Sequence, residues 1–259
     1  MKPRRAIFTT APKGGVGKTY LAKLLYDLLP QYGRRVCAWD LDSATGTFAI
    51  YDDGIRTFDL NGTCSSSSWL DDCHREDVDD VLVDVPGGRI DDLLRTFGED
   101  NVAALVDAVA EAGREFVVIN PIGVMIAETV TAQVTIRAFA GTKARTIVVK
   151  NGRFGAADDF VIYDGVQEDN GGRRYGTTGQ LAESVGAETL YLPSLAPRLL
   201  AQFDADQMRF IDAAGAAGVS RLGRLGAARV KMYLASVAEA FRGSSLDLAG
   251  AIPQRRPAS

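Results

Sequence analysis

One stretch narrows the folds open to this chain more than any other. It is Gly14-Gly15-Val16-Gly17-Lys18-Thr19-Tyr20, preceded by an apolar run (Arg5–Thr10) and followed by a leucine-rich segment. Glycines here let the backbone take conformations that a Cβ forbids, so successive N–H groups can turn toward one point. A helix opening at that point adds its positive end, and the combination cradles phosphate oxygens. Lys18 would then reach the outer phosphates, and the Thr19 hydroxyl would be free for Mg²⁺. The bland alternative is a glycine-rich turn with a chance Lys-Thr. It leaves the flanks unexplained, because Leu21, Leu24, Leu25, Leu28 and Leu29 fall on one helical face stopped by Pro30 and Gly33.

Along the rest of the chain, short apolar runs alternate with helix-period segments. Strands are expected at "RAIFTT", "RRVCAWDL", "DDVLVDV", "EFVVINPI", "ARTIVVKN", "FVIYD" and "ETLYLPSL". Helical stretches lie between several of them, notably "IDDLLRTF" with "NVAALVDAVAEAG", and "AETVTAQVTIRAFA". The serine-rich "NGTCSSSSWLDDCHRED" reads as an exposed excursion. This pattern predicts an α/β fold, a doubly wound and mainly parallel sheet flanked by helices, as in P-loop NTPases. No repeat or composition break divides the 259 residues, so one domain is expected over 1–259, with 243–259 a flexible tail.

Charge is uneven along the chain. Residues 1–172 carry 18 Lys and Arg against 26 Asp and Glu, whereas residues 173–259 carry 11 against 7. In "RLGRLGAARVKMYLASVAEAFR", helical spacing puts Val230, Tyr233, Leu234, Val237 and Phe241 on one face and Arg224, Lys231 and Arg242 on a neighbouring stripe. Such a stripe can grip phosphates without reading sequence, or simply form a solvated flank. The three cysteines, Cys37, Cys64 and Cys73, are odd and sparse, as in a reducing compartment, and Cys73-His74 is a poor metal pair with a single His in the chain. No apolar run is long enough to span a membrane, the N-terminus lacks a secretory pattern, and "SSLDLAGAIPQRRPAS" is no amphipathic anchor. A cytoplasmic location without membrane attachment is expected.

The longer string "KGGVGKT" resembles the deviant Walker A motif of the ParA/MinD family of ATPases. The resemblance implies that Lys13 is the signature lysine, which reaches across a dimer to the partner's nucleotide. "CAWDLDSATGTF" resembles switch I, which implies that Asp42 positions the attacking water beside the metal; Ser43 and Ala44 replace the usual Pro-Gln. "VLVDVPGG" resembles Walker B and switch II, which implies that Asp84 holds Mg²⁺, with Pro86-Gly87-Gly88 as a flexible turn. A guanine-reading Asn/Thr-Lys-x-Asp segment is missing. Asn151, at the end of "TIVVKN", stands where the family presents an asparagine to adenine, although beside Gly152 it is also an ordinary turn former.

The resemblance therefore implies ATP and Mg²⁺ as cofactors, catalytic roles for Lys13, Lys18 and Asp42, and Thr19, Asp42 and Asp84 around the metal. It also implies a nucleotide-dependent homodimer with slow hydrolysis, and a protein partner from a partition, stability or conjugal-transfer system. Nonspecific DNA contact would run through Arg224, Lys231 and Arg242. Two other readings use the same residues: a metabolite kinase or ligase like dethiobiotin synthetase, and a nucleotide-binding protein with little hydrolysis.

Overall fold

The computed structural model describes residues 2–42, 46–60, 69–89, 92, 102–169 and 171–248. Ser43, Ala44, Cys64 and all but Asp92 of the 90–97 segment lie outside them. Seven strands form one sheet: β1 (Arg5–Thr9), β2 (Val36–Asp40), β3 (Ile55–Thr57), β4 (Asp80–Asp84), β5 (Glu115–Ile122), β6 (Arg145–Asn151) and β9 (Glu188–Leu192), in the order β3-β2-β4-β1-β5-β6-β9. Every pairing in it is parallel. Two further strands, β7 (Val166–Gln167) and β8 (Arg173–Arg174), make a separate antiparallel pair.

The sheet is covered on both faces because its central strands are apolar on both. Ile7, Leu82, Val117 and Ile147 pack to one side, while Ala6, Phe8, Val81, Val83 and Val118 pack to the other. Helix α1 (Lys18–Gln31) buries all five leucines of its expected face on the first side, each contributing about 2 kcal/mol. It ends one residue beyond Pro30, where Gly33 takes φ 74°. The opposite side holds α2 (Trp69–Cys73), α3 (Val102–Glu111) and α4 (Ile126–Phe139). The remaining helices are α5 (Val161–Asp164), α6 (Thr177–Ser184), α7 (Pro197–Ala205), α8 (Phe210–Ala213) and α9 (Ala216–Ala240).

Three expectations need correction. "FVIYD" is not a strand but a helical turn, α5. Phe160 and Tyr163, three residues apart, are both buried on one side of that turn, Gly165 at φ 81° ends it, and the sheet edge beside β6 is taken by β9. The excursion after β3 is not wholly exposed, because Trp69 is fully buried with its ring edge-on to Phe8, centroids 4.8 Å apart. Residues 243–248 are packed and not loose: Leu246 and Leu248 are buried in the core that holds α1 and α9, and the rest of the expected tail lies outside the described residues. The expected apolar face of α9 (Val230, Tyr233, Leu234, Val237) is buried, as is Phe241 just beyond the helix.

Candidate nucleotide site

Strands β1 and β4 are neighbours in register, Thr9 opposite Asp84, so the loops leaving their carboxyl ends meet in one crevice. The loop after β1 turns through two left-handed residues, Gly15 at φ 84° and Gly17 at φ 99°, the latter opening α1. Side chains at Gly14 and Gly15 would meet nothing within 4 Å, so the loop rims an open hollow. The turn Pro86–Gly88 closes it from the β4 side. Gly88 N donates to Ala11 O at 3.1 Å, and a Cβ on Gly87 would lie 3.2 Å from both Gly14 N and Lys18 Nζ. A side chain at Gly87 would therefore crowd both the loop backbone and the Lys18 ammonium.

Lys18 is buried and folds its ammonium back over the loop, donating to Lys13 O at 3.4 Å. Desolvation lowers its pKa, opposed by the charges of Asp84 and Asp42, so Asp42 lies close enough for its field to be felt here. Thr19 Oγ1 donates to Asp84 Oδ2 at 2.6 Å, and Thr9 Oγ1 donates to Asp84 Oδ1 at 2.6 Å. Burial raises the Asp84 carboxyl to about 6; the two threonine bonds and Lys18 work against the shift, and Asp40 adds to it. The buried Asp84 carboxylate beside the Thr19 hydroxyl is a hard-oxygen pair, although among the described residues no group of three or more His, Cys, Asp or Glu is gathered to hold a metal. The pair fits a small dication such as Mg²⁺. Thr19, Asp84 and Asp42 are the residues that would hold it, and the ion would supply charge compensation for a bound polyphosphate.

The raised Asp84 carboxyl has a stability consequence in the nucleotide-free protein. The unfolded carboxyl titrates near 3.9 and the folded one near 6, so between these values the native state binds more protons and stability falls as pH rises. Asp84→Asn is expected to raise stability by about 2 kcal/mol at neutral pH, roughly 5 °C in Tm, with little gain at pH near 4. Thermal melts at the two pH values check this, and equal shifts at both would contradict it.

Asp40, at the end of β2, holds the segment that follows it. Its Oδ1 accepts from Asp42 N at 2.9 Å, and its Oδ2 accepts from Phe48 N and Ala49 N, each at 2.9 Å. It thus clamps both ends of the segment carrying Asp42. The local signal was present, since aspartate readily bonds backbone N–H groups two residues on.

Asn151 is 1% exposed and works within the loop. Its Nδ2 donates to Val16 O at 2.9 Å, and its Oδ1 accepts from Arg153 N at 3.1 Å. In this position the amide struts the phosphate loop. Tyr20 is built into the neighbouring wall. Its hydroxyl lies 2.7 Å from that of Tyr233 on α9, and the Arg153 guanidinium sits 5.0 Å from its ring centroid. Burial raises the Tyr20 hydroxyl to about 12, so it is a neutral hydrogen-bonding group. Thr19, Tyr20 and Arg153 open into a cavity of about 820 Å³ that continues past Ser194 and Pro197.

Lys13 lies on the exposed rim of the loop, and no carboxylate pairs with it among the described residues. Helix α4, which follows β5, is apolar on both its inner and outer faces. Its inward positions also include Thr129 and Thr135, while Ile126, Val130 and Val134 face outward at 59%, 44% and 58% exposure, continuing from Met125 at 63%. Arg224 and Lys231 are exposed on α9, which kinks at Gly223. Arg242 lies beyond the helix end and pairs with Glu239 at 2.6 Å, so the expected stripe is interrupted. The cysteines serve packing: Cys73 is buried, and Cys37 Sγ lies 2.9 Å from Asp72 Oδ2 with its thiol pushed up to about 12, chiefly by burial. Among the described residues no helix is long and apolar enough to cross a membrane.

A glycine-rich loop at the carboxyl end of a parallel sheet, with a buried Lys-Thr-Asp constellation beside it, defines a P-loop nucleotide-binding protein. Residues 7–258 match the CobQ/CobB/MinD/ParA nucleotide binding domain, and the chain belongs to that family of nucleotide-binding ATPases. Among solved structures it is similar to the septum site-determining protein MinD of Pyrococcus horikoshii, complexed with Mg-ADP: 12% identity over 91% of this chain and 95% of that one, TM-score 0.52. The MinC:MinD cell division complex of Aquifex aeolicus matches at 13% identity over 90% and 96%, TM-score 0.48. A nucleotide-binding protein of Archaeoglobus fulgidus in complex with ADP matches at 19% over 80% and 88%, TM-score 0.45. At such identities the likeness is one of fold. No curated protein sequence matches the chain.

Proposed function

We propose that the protein is an ATP-dependent dimerising switch with slow Mg-ATP hydrolysis, acting in plasmid or DNA partition, stability or conjugal transfer. The observation that carries this reading is the pairing of two lysines with opposite placements. Lys18 is buried in its own loop, as a cation for a nucleotide bound in cis, while Lys13 is exposed on the rim, free to serve a facing copy. The apolar stripe Met125-Ile126-Val130-Val134 supports a facing copy too, because it follows the carboxyl end of β5, the neighbour of the strand that leads into the loop, and would otherwise remain wet.

In this reading the triphosphate lies on the Gly14–Tyr20 backbone, with Mg²⁺ held by Thr19, Asp84 and Asp42. The base enters the cavity between Tyr20, Arg153 and Pro197. Asp42, positioned by Asp40, orients the attacking water, and loss of the γ-phosphate releases the turn Pro86–Gly88 that lies against the loop. Choice of adenine then rests on the cavity wall more than on the engaged Asn151 amide. DNA contact is assigned to Arg224 and Lys231, with Arg242 contributing only when it leaves Glu239. Light scattering after size-exclusion chromatography tests the core claim. Mg²⁺ with a nonhydrolysable ATP analogue should convert monomer to dimer, and a mass unchanged under saturating analogue would overturn it.

A further inference from the structure

The cavity beside the loop is longer than the wall assigned to the base. Beyond Tyr20 it continues between α1, the segment after β2 and the α7–α8 connection, past Lys23, Thr47, Tyr51, Asp204, Gln207 and Met208. Lys23 follows Thr19 by four residues, so it stands on the same helix face about 6 Å farther from the loop. Its ammonium, 5.1 Å from the Tyr51 ring centroid, makes no hydrogen bond or ion pair among the described residues, while the carboxylates of Asp204, Asp84 and Asp40 act on it from farther off. A half-buried cation over an aromatic face in an open cavity is a ready partner for an anion.

This outer half is also preorganised. Tyr51 cannot swing away, because its hydroxyl donates to Asp27 Oδ2 at 2.6 Å and accepts from Phe210 N at 2.8 Å. Asp27, with its side chain fully buried, also takes two bonds from Arg209, at 3.0 and 2.7 Å, and Arg209 pairs in turn with Asp52. The network ties α1, the segment after β2 and the α7–α8 connection into one wall. Gln207, on that connection, adopts φ 48°, left-handed backbone that glycine would take at less cost, so a side chain is retained there despite strain.

We propose that the outer half of the cavity binds a second small molecule beside the nucleotide: a monocarboxylate with an aromatic or aliphatic body. The carboxylate meets Lys23 and the Thr47 hydroxyl, the body lies on Tyr51 between Ile50 and Met208, and a donor group on its far end meets Asp204 or Gln207 at the rim. Asp204 disfavours a polyanion there, which sets this ligand apart from a second phosphate group. The occupancy of the inner half rests on the nucleotide reading; the outer site does not.

The test is calorimetry on the full chain with benzoate, phenylacetate, hexanoate, L-phenylalanine and L-tyrosine, with and without saturating Mg-ADP. At least one probe should bind below about 1 mM in both conditions. Lys23→Met should weaken that probe about tenfold or more, Lys23→Arg should restore most of it, and ADP affinity should move by less than about twofold in either variant. Three results would overturn the proposal: no probe binds, the probe is expelled by Mg-ADP, or Lys23→Met weakens ADP as strongly as the probe. If wild-type protein binds a probe but no ADP, the nucleotide reading fails and the carboxylate site stands.

Discussion

Lys13→Ala is expected to leave the monomer and its nucleotide affinity nearly intact while abolishing ATP-dependent dimerisation. The side chain is exposed and unpaired among the described residues, so its loss should change folding stability by less than about 0.5 kcal/mol. Only its backbone carbonyl holds Lys18, and alanine keeps that carbonyl. ADP binding should therefore shift by no more than about threefold. Hydrolysis should fall by roughly two to three orders of magnitude, the usual cost of losing one preorganised donor to a transferring group. Mixing separates action in trans from action in cis. A Lys13→Ala chain keeps its own Asp42, and an Asp42→Asn chain keeps its own Lys13. If the lysine crosses the interface, the mixed dimer has one complete site, and ATPase activity should return toward half of wild type. Two inactive variants that stay inactive when mixed, despite forming a dimer, would sink the trans assignment.

Gly17→Ala should be the most damaging single change to nucleotide binding. The residue holds φ 99°, so any Cβ costs roughly 1–2 kcal/mol in backbone conformation alone. That Cβ would also fall 2.3 Å from Asn151 Nδ2, which must move and lose its bond to Val16 O. Both effects deform the backbone that would face the phosphates, and ADP affinity should drop about a hundredfold or more. Asn151→Ala alone removes the strut without the clash and should cost about tenfold. The double variant distinguishes the two causes. It should bind ADP better than Gly17→Ala, because the new methyl fills the space left by the amide, but worse than Asn151→Ala, because the left-handed strain persists. Calorimetry with ADP reads all three. A double variant weaker than Gly17→Ala would show that the clash is not the cause.

Much of this architecture is legible along the chain because the relevant forces are local. Glycine spacing, one leucine face and the apolar run before it require a strand, a left-handed turn and a helix in that order, whatever surrounds them. The apolar runs ending in Asp84 and Asn151 likewise declare parallel strands buried on both faces. Where sequence reading misplaced a segment, the deciding partner was distant. "FVIYD" has strand-like composition, yet β9, nearly thirty residues on, occupies the edge it would have joined. Trp69 follows a serine-rich stretch, and the core around Phe8 explains its burial.

The site divides along the same line. Residue types at fixed spacing specify a phosphate cradle followed by its lysine and threonine, since each is a matter of backbone freedom and order within a few residues. What each group is free to do was settled by contacts formed across many tens of residues. The fold turned Asn151 inward to brace the loop, seated Thr19 against Asp84, and left Lys13 on the exposed rim. Pairing in three dimensions is a property of the packed chain, and no local pattern encodes it.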